Sequence, residues 1–296
     1  MKPTIIISEG EKKLLEESPE ELLEDIRNIV DSYTENRQDR LPKIISIVQR
    51  ELELLDFAFA NVLTLWLIFH TRQNDDIPVL WLNDNKLTSL CFTSLLQSVA
   101  DSINIIRNLS GAGNHSRLVF RHLVETFDFT IACAGDEATF MNFIKSFDAE
   151  EDTLNHWRKN LAPGQIRKTL SNIEMNIIGV ESEIVARIHG MRKDTYSWLS
   201  RAGHVDFIAY VGDSLTDSYA EMATSTLRSL LRYLAYSQTS FATLLIGKHR
   251  WFPDLENDNH TTDDVERQLL EKKCFVRIKR FVDDYIIYRR EQEGLF

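Results

Sequence analysis

Hydrophobic side chains recur at spacings of three and four residues along most of the chain, which is the period of amphipathic helices. The pattern is clear over 42–72, where Val48, Leu52 and Phe59 keep that spacing. No stretch of any length alternates polar and apolar residues as a strand does, and no repeat of solenoid period is visible. The sequence therefore predicts an all-α protein, a single-domain helical bundle of about nine or ten helices.

Helix start and stop signals divide this predicted domain, residues 1–296, into a core and two terminal helices. The core spans 40–247, the N-terminal helix covers 8–36, and the C-terminal helix covers 262–290. We expect both terminal helices to pack on the core or on a partner. Glycine and proline are few, at 11 and 6 residues, which agrees with long helices joined by short loops.

The helix predicted over 117–134 differs from an ordinary surface helix. Arg117, Arg121, Glu125 and Asp128 fall within one narrow stripe, and apolar side chains cover most of the remaining circumference. A surface helix usually keeps about half of its circumference polar. We therefore expect this helix to be mostly buried, with its two arginines and two acids facing one another or a cleft.

Charge limits the class of partner. The formal net charge is −11 and the pI is about 5.3. Because binding to nucleic acid relies on a basic footprint, we do not expect DNA or RNA as a general partner, although an acidic protein can contain a local basic cleft. A homodimer or another protein partner stays open.

The three cysteines, Cys91, Cys133 and Cys274, are far apart and form no Cys-x-x-Cys pair. That spacing disfavours a structural zinc site, and unpaired thiols are typical of a cytoplasmic protein. We expect no metal and no cofactor. The longest apolar run, 57–69, is shorter than the roughly 20 residues that span a bilayer. No signal peptide is visible, so the sequence predicts a cytoplasmic protein without a membrane segment.

Two polar clusters are candidates for a functional site. Arg121 and Glu125 stand at the i, i+4 spacing of a helical ion pair. Such a pair can fix helix packing, or it can orient a carboxylate at the base of a pocket. Burying an ion pair is at best neutral for stability, so its presence in an apolar helix indicates specificity or function.

The second cluster, Tyr196, Ser200 and His204, occupies i, i+4 and i+8. The three side chains share a face if one helix carries all of them; if the helix ends earlier, His204 lies just beyond its C-terminus. We take Tyr196 and Ser200 as candidate binding residues. His204 is a candidate catalytic residue, together with Arg121 and Glu125.

The two motifs together, Arg-x-x-x-Glu over 121–125 and Tyr-x-x-Leu-Ser-x-x-x-His over 196–204, resemble the DUF5677 family of uncharacterised helical bacterial proteins. That family is loosely grouped with HEPN-type proteins, and the likeness covers residues 85–250. The resemblance implies a helical architecture with both motifs in the core, and an association with phage defence or stress. It implies no settled reaction.

Two functions remain open at this point. The first is a binding or regulatory role in which the two clusters line one buried polar pocket. The second, implied by the HEPN-type resemblance, is a metal-independent RNase with His204 as general base and Arg121 stabilising the developing charge. Arg117 and His122 match the Arg-x4-His spacing of such enzymes, but they lie about 140° apart on a helix and would not converge. The sequence does not decide whether the protein is an enzyme.

Overall fold

The computed structural model describes residues 24, 27–32, 41–71, 85–145, 153–203, 219–247 and 262–294. These residues are almost entirely helical and contain no strand, which confirms the all-α class. The chain divides into two compact units, Met1–Ile47 and Val48–Phe296. In the first unit, 27–32 and 41–47 are helical. The expected organisation as a single domain stays a prediction.

Within its described residues the second unit contains these helices: α1 (Gln49–Thr71), α2 (Asn85–Asn108), α3 (Gly113–Gly135), α4 (Glu137–Lys145), α5 (Thr153–His156), α6 (Pro163–Ile173), α7 (Ser182–Gly203), α8 (Tyr219–Gly247) and α9 (Thr262–Gln292). Two π-helical turns, Trp157–Leu161 and Glu174–Ile178, continue α5 and α6. The sequence pattern over 151–160 and 163–179 predicts regular α-helices. The structure differs from that prediction in the two wider π turns. Gly179, with a φ of 76°, ends the second π turn in the left-handed conformation.

The core of the second unit is a closed ring of α1, α2, α3 and α8, in which each helix packs against two others. Each of these helices contributes a phenylalanine to the centre. The ring centroids of Phe69 and Phe241 are 6.3 Å apart, and Phe92 and Phe127 lie 5.1 Å from Phe69 and 6.2 Å from Phe241, respectively. Aromatic pairs at such separations add to the stabilisation from burial. Outside the ring, α9 packs on α1 and α8.

Helix α3 is the most widely contacted element, since it packs against α2, α4, α6, α7 and α8. Phe120, Leu123, Phe127 and Ile131 of this helix are fully buried. The mostly buried helix predicted from the sequence is therefore confirmed. Its central place follows from its composition, because only a narrow polar stripe interrupts its apolar surface.

The turn between α2 and α3 depends on glycine. Ser110 and Gly111 both have positive φ angles, 51° and 70°, and the Gly111 backbone N–H donates to the carbonyl of Ile106 at 2.9 Å. A Cβ atom on Gly111 would stand 2.7 Å from Cγ of Leu227 in α8. The glycine thus ends α2 and lets the turn approach α8 closely.

By length and composition, Gln49–Thr71 and Thr88–Asn108 are apolar enough to cross a membrane. Half of the apolar window in each is buried within the protein. The buried Asn61 in α1 donates to Oε1 of Gln238 in α8 at 3.1 Å, so part of this apolar helix faces a polar partner in the core. Packing in the helical ring accounts for the buried half of each apolar window. The cytoplasmic location stays a prediction.

A close approach of α3 and α6 gives the first prediction. A Cβ atom on Gly135 would stand 2.7 Å from Cγ1 of Ile173, whereas one on Gly164 meets nothing within 4 Å. Gly135→Ala should therefore overpack this contact and lower the free energy of unfolding by about 1–3 kcal/mol. Gly164→Ala is the matched control and should change it by less than about 1 kcal/mol. Urea denaturation measures both; equal effects would contradict the close contact.

Candidate functional site

The polar stripe of α3 faces α7 along its length. The guanidinium of Arg117 lies 5.0 Å from the ring centre of Trp198, and that of Arg121 lies 5.0 Å from the ring centre of Tyr196. Further along α3, Asp128 pairs with Arg192 of α7. As the residue numbers rise along α3, the numbers of their contact partners on α7 fall, so the two helices are antiparallel. The stripe predicted from sequence is therefore an interface with α7.

Arg121, Glu125 and Tyr196 meet at one point of this interface. Nε of Arg121 donates to Oε1 of Glu125 at 3.1 Å, and Nη2 donates to the hydroxyl of Tyr196 at 2.9 Å. Burial raises the pKa of Tyr196, and the neighbouring carboxylate of Glu125 raises it further. The phenol is therefore neutral at pH 7. The predicted Arg121–Glu125 ion pair is present, with side chains 28% and 34% exposed.

A second arginine reaches the same tyrosine. The guanidinium carbon of Arg167, from α6, lies 4.9 Å from the ring centre of Tyr196. Arginine over an aromatic ring is attracted by the negative charge of the ring face. No carboxylate among the described residues lies within 4.0 Å of the Arg167 nitrogens. Arg121 and Arg167 therefore both pack on the ring of Tyr196. Of the two, Arg167 has no acidic partner among the described residues.

Glu125, Arg167 and Tyr196 border a cleft of about 270 Å³, which we call the α3 cleft. It is lined by Leu95, His122, Val124, Glu125, Thr126, Asp128, Phe129, Phe143, Trp157, Leu161, Pro163, Ile166, Arg167 and Tyr196. Most of these side chains are apolar or aromatic, and a few are charged. That combination is typical of small-molecule sites, although this volume is at the lower limit of their usual range.

A buried ionic cluster lies behind the cleft. Arg192 is 1% exposed, and its Nη1 donates to Oε1 of Glu174 at 2.6 Å. Its Nε lies 3.4 Å from Oδ1 of Asp128, an ion pair that lacks hydrogen-bond geometry. Oδ1 of Asp128 also accepts a hydrogen bond from the hydroxyl of Tyr233 at 2.9 Å. We call Asp128, Glu174 and Arg192, with Tyr233, the buried cluster.

The buried cluster holds two acids and one base. Burial raises the pKa of Asp128 above its ordinary value, against the opposing effects of Arg192 and the Tyr233 hydroxyl. Burial lowers the pKa of Arg192, but the charges of Asp128 and Glu174 outweigh it and raise that pKa above the ordinary value. Arg192 is therefore charged at any physiological pH. Its single positive charge is shared by two carboxyl groups.

The two π turns place residues at this site. Trp157 and Leu161, at the two ends of the first turn, line the α3 cleft. Glu174 begins the second turn, and it is fully buried against Arg192. Isolated π turns occur frequently at functional sites, because an inserted residue re-aims the side chains around it. The first π turn therefore borders the α3 cleft, and the second contributes Glu174 to the buried cluster beside it.

The remaining candidates from the sequence have different places. The Ser200 hydroxyl donates to the carbonyl of Tyr196 at 2.8 Å, within its own helix. His204 lies outside the described residues, so its convergence with Arg121 stays a prediction, as does the binding role of Ser200. His122 lies 3.1 Å from the Ser98 hydroxyl, whereas Arg117 packs on Trp198, so these two side chains diverge as their spacing predicts.

Three charged residues of the site were not predicted from sequence: Arg167, Glu174 and Arg192. A signal exists for two of them. Arg192 stands midway between the buried Val185 and Leu199 at seven-residue spacings, and Glu174 follows the buried Ile173. A charge in register with apolar residues indicates a buried ion. Among the described residues, no group of three His, Cys, Asp or Glu side chains is placed to hold a metal ion.

Comparison with known proteins adds no assignment. No family model, no curated protein and no solved structure matches the chain. The function is therefore inferred from the geometry of the site alone.

The buried cluster gives the second prediction. Arg192→Met removes the base that pairs with both Asp128 and Glu174 and leaves two buried acids without their shared charge. The free energy of unfolding should fall by about 3–5 kcal/mol. The exposed neighbour Lys193 provides the control, since Lys193→Met should change that energy by less than about 0.5 kcal/mol. Chemical denaturation at pH 7 measures both.

A combined variant separates charge from packing. Neutralising the acids as well, with Asp128→Asn and Glu174→Gln added to Arg192→Met, should recover part of the lost stability because no isolated charge remains buried. If Arg192→Met is no worse than Lys193→Met, Arg192 does not hold the cluster.

Proposed function

We propose that the protein is a non-enzymatic binding protein with a regulatory role, and that the α3 cleft binds its ligand. The observation that carries this proposal is the meeting of Arg121, Glu125 and Tyr196, residues of α3 and α7, of which Glu125 and Tyr196 line the mostly apolar α3 cleft. Mixed apolar and charged linings favour recognition of a small molecule. The apolar part contributes affinity and the few polar groups contribute orientation.

The construction of the cleft supports a regulatory role. Its lining comes from α2, α3, α4, α6, α7 and the turn Trp157–Leu161. An occupant would contact elements that are far apart in sequence, and a ligand that binds only the folded state stabilises it in proportion to its occupancy. Ligand binding would therefore tighten the packing of several helices around α3 at once.

The role of Arg121 also favours binding over catalysis. Its guanidinium already donates to Glu125 and Tyr196, and it packs over the tyrosine ring. Those contacts suit a residue that positions other side chains. The alternative, a metal-independent RNase with His204 as general base, needs this guanidinium to contact phosphate. A cytoplasmic location, a homodimer or protein partner, and a role in phage defence or stress stay predictions from the sequence.

A cleft-filling variant tests the proposal. Thr126 is half-buried on the wall of the cleft, so Thr126→Phe should occupy its volume. Ligand-observed NMR with a panel of small charged and aromatic fragments should detect binding to the wild-type protein. The affinity for those fragments should fall at least about tenfold in the variant. Thr224→Phe, at a half-buried position of α8 outside the cleft lining, should retain it.

Fragments that bind equally well to Thr126→Phe would contradict the assignment of the cleft, and so would a panel that yields no binder. An RNA assay decides the alternative. If the wild-type protein cleaves single-stranded RNA and His204→Ala abolishes cleavage while the fold is kept, the RNase replaces the binding role.

A further inference from the structure

Two charged groups reach the α3 cleft without a complete set of partners. The first is the half-buried Arg167. It stacks on Tyr196, and its guanidinium has no hydrogen bond or ion pair to any residue that the structure describes. A cation held against a ring in this way keeps its donors available to a ligand. Its planar arrangement of N–H groups matches a carboxylate.

The second group is the carboxyl of Asp128, which is 5% exposed and lines the cleft. Its Oδ1 is used by Tyr233 and Arg192, but its Oδ2 has no donor among the residues described. Arg192 pairs with Glu174 as well, so one positive charge serves two acids in the buried cluster. A cationic ligand group at Oδ2 would supply the missing positive charge and the missing donor.

Arg167 and Asp128 are close enough to influence one another. Burial raises the pKa of Asp128, Arg192 lowers it, and Arg167 makes a smaller contribution in the same direction as Arg192. No nitrogen of the Arg167 guanidinium lies within 4.0 Å of a carboxyl oxygen of Asp128, since the two residues form no ion pair. Both residues line the α3 cleft, which is therefore bordered by an acidic and a basic side chain.

The remainder of the cleft is apolar and aromatic. Phe129 and Phe143 meet edge to face with ring centroids 4.9 Å apart, and Trp157 and Leu161 complete this wall. Trp157 is 45% exposed, a large apolar surface left facing outward. An apolar group between these side chains would gain contact area without displacing any protein side chain.

We propose that the α3 cleft binds a small zwitterion with an apolar side chain, an aromatic or branched α-amino acid. Its ammonium group contacts Oδ2 of Asp128, its carboxylate contacts the guanidinium of Arg167, and its side chain packs on the wall formed by Phe129, Phe143 and Trp157. This inference rests on the proposed function, since it names the class of ligand for that site.

Other ligand classes leave a charge unmatched. An anion without a cationic group would meet Asp128 and Glu125, and a cation without an anionic group would meet Arg167. An uncharged apolar molecule would cover Oδ2 of Asp128 and the guanidinium of Arg167 and leave both without a hydrogen bond, which is costly for buried polar groups. The volume of about 270 Å³ restricts the occupant to a single small metabolite.

Three related probes test the class of ligand: L-phenylalanine, phenethylamine, which lacks the carboxylate, and 3-phenylpropionate, which lacks the ammonium group. Isothermal titration calorimetry of the full chain should show binding of L-phenylalanine. Each analogue should bind at least about tenfold more weakly, because each leaves one charged side chain unpaired.

A variant locates the carboxylate contact. In Arg167→Gln the preference for L-phenylalanine over phenethylamine should disappear, while the preference over 3-phenylpropionate should remain. Lys168→Gln is the matched control, because it removes an exposed charge from the next residue of the same helix, and it should keep both preferences. Asp128→Asn should give the reciprocal pattern, with the fold checked by circular dichroism.

The outcomes separate this inference from the proposed function. If either analogue binds as tightly as L-phenylalanine, or if none of the three binds while the fragments do, the zwitterion is wrong and the binding cleft stands. If the Thr126→Phe variant changes no binding of any probe or fragment, both proposals fail.

Discussion

One arginine shared by two acids in the interior is the interaction on which the rest of the structure depends. Arg192 from α7 joins Asp128 of α3 to Glu174 at the start of a π turn, and all three are at least nine-tenths buried. Removing charges from water is costly, and mutual attraction repays that cost only when the partners are held closely. The register of α3, α6 and α7 is therefore constrained by this one cation.

The same constraint connects the interior to the surface. Asp128 belongs both to the buried cluster and to the cleft lining. A ligand in the cleft would therefore interact with the charges of the buried cluster. Tyr196 has a parallel role in the cleft lining, since Arg121 and Arg167 both contact its ring. Binding chemistry and helix packing thus share residues. Such sharing is how a ligand can influence the stability of a whole bundle.

Periodicity was sufficient to predict the helical class and the central place of α3, because burial of an apolar face leaves a clear pattern along a helix. The Arg121–Glu125 pair was predictable for the same reason, since i, i+4 neighbours meet within one helix. The contacts of Arg192 with Asp128 and Glu174 were not, because they join three helices and no local spacing encodes them. The π turns were missed as well, since each covers only five residues, too few for a change of period to show in the sequence.

The buried cluster is tested most directly by the hydrogen-exchange rate of the Arg192 side chain. That rate is followed by 15N NMR at neutral pH, and the Arg192 signal is assigned with the Arg192→Lys variant. The Nε–H of an arginine held between two buried acids should exchange far more slowly than that of Arg187, whose side chain is 75% exposed on the same helix. Slow exchange at Arg192, with fast exchange at Arg187, is the result predicted here. Equal exchange rates at the two arginines would contradict the buried cluster and the cleft built on it.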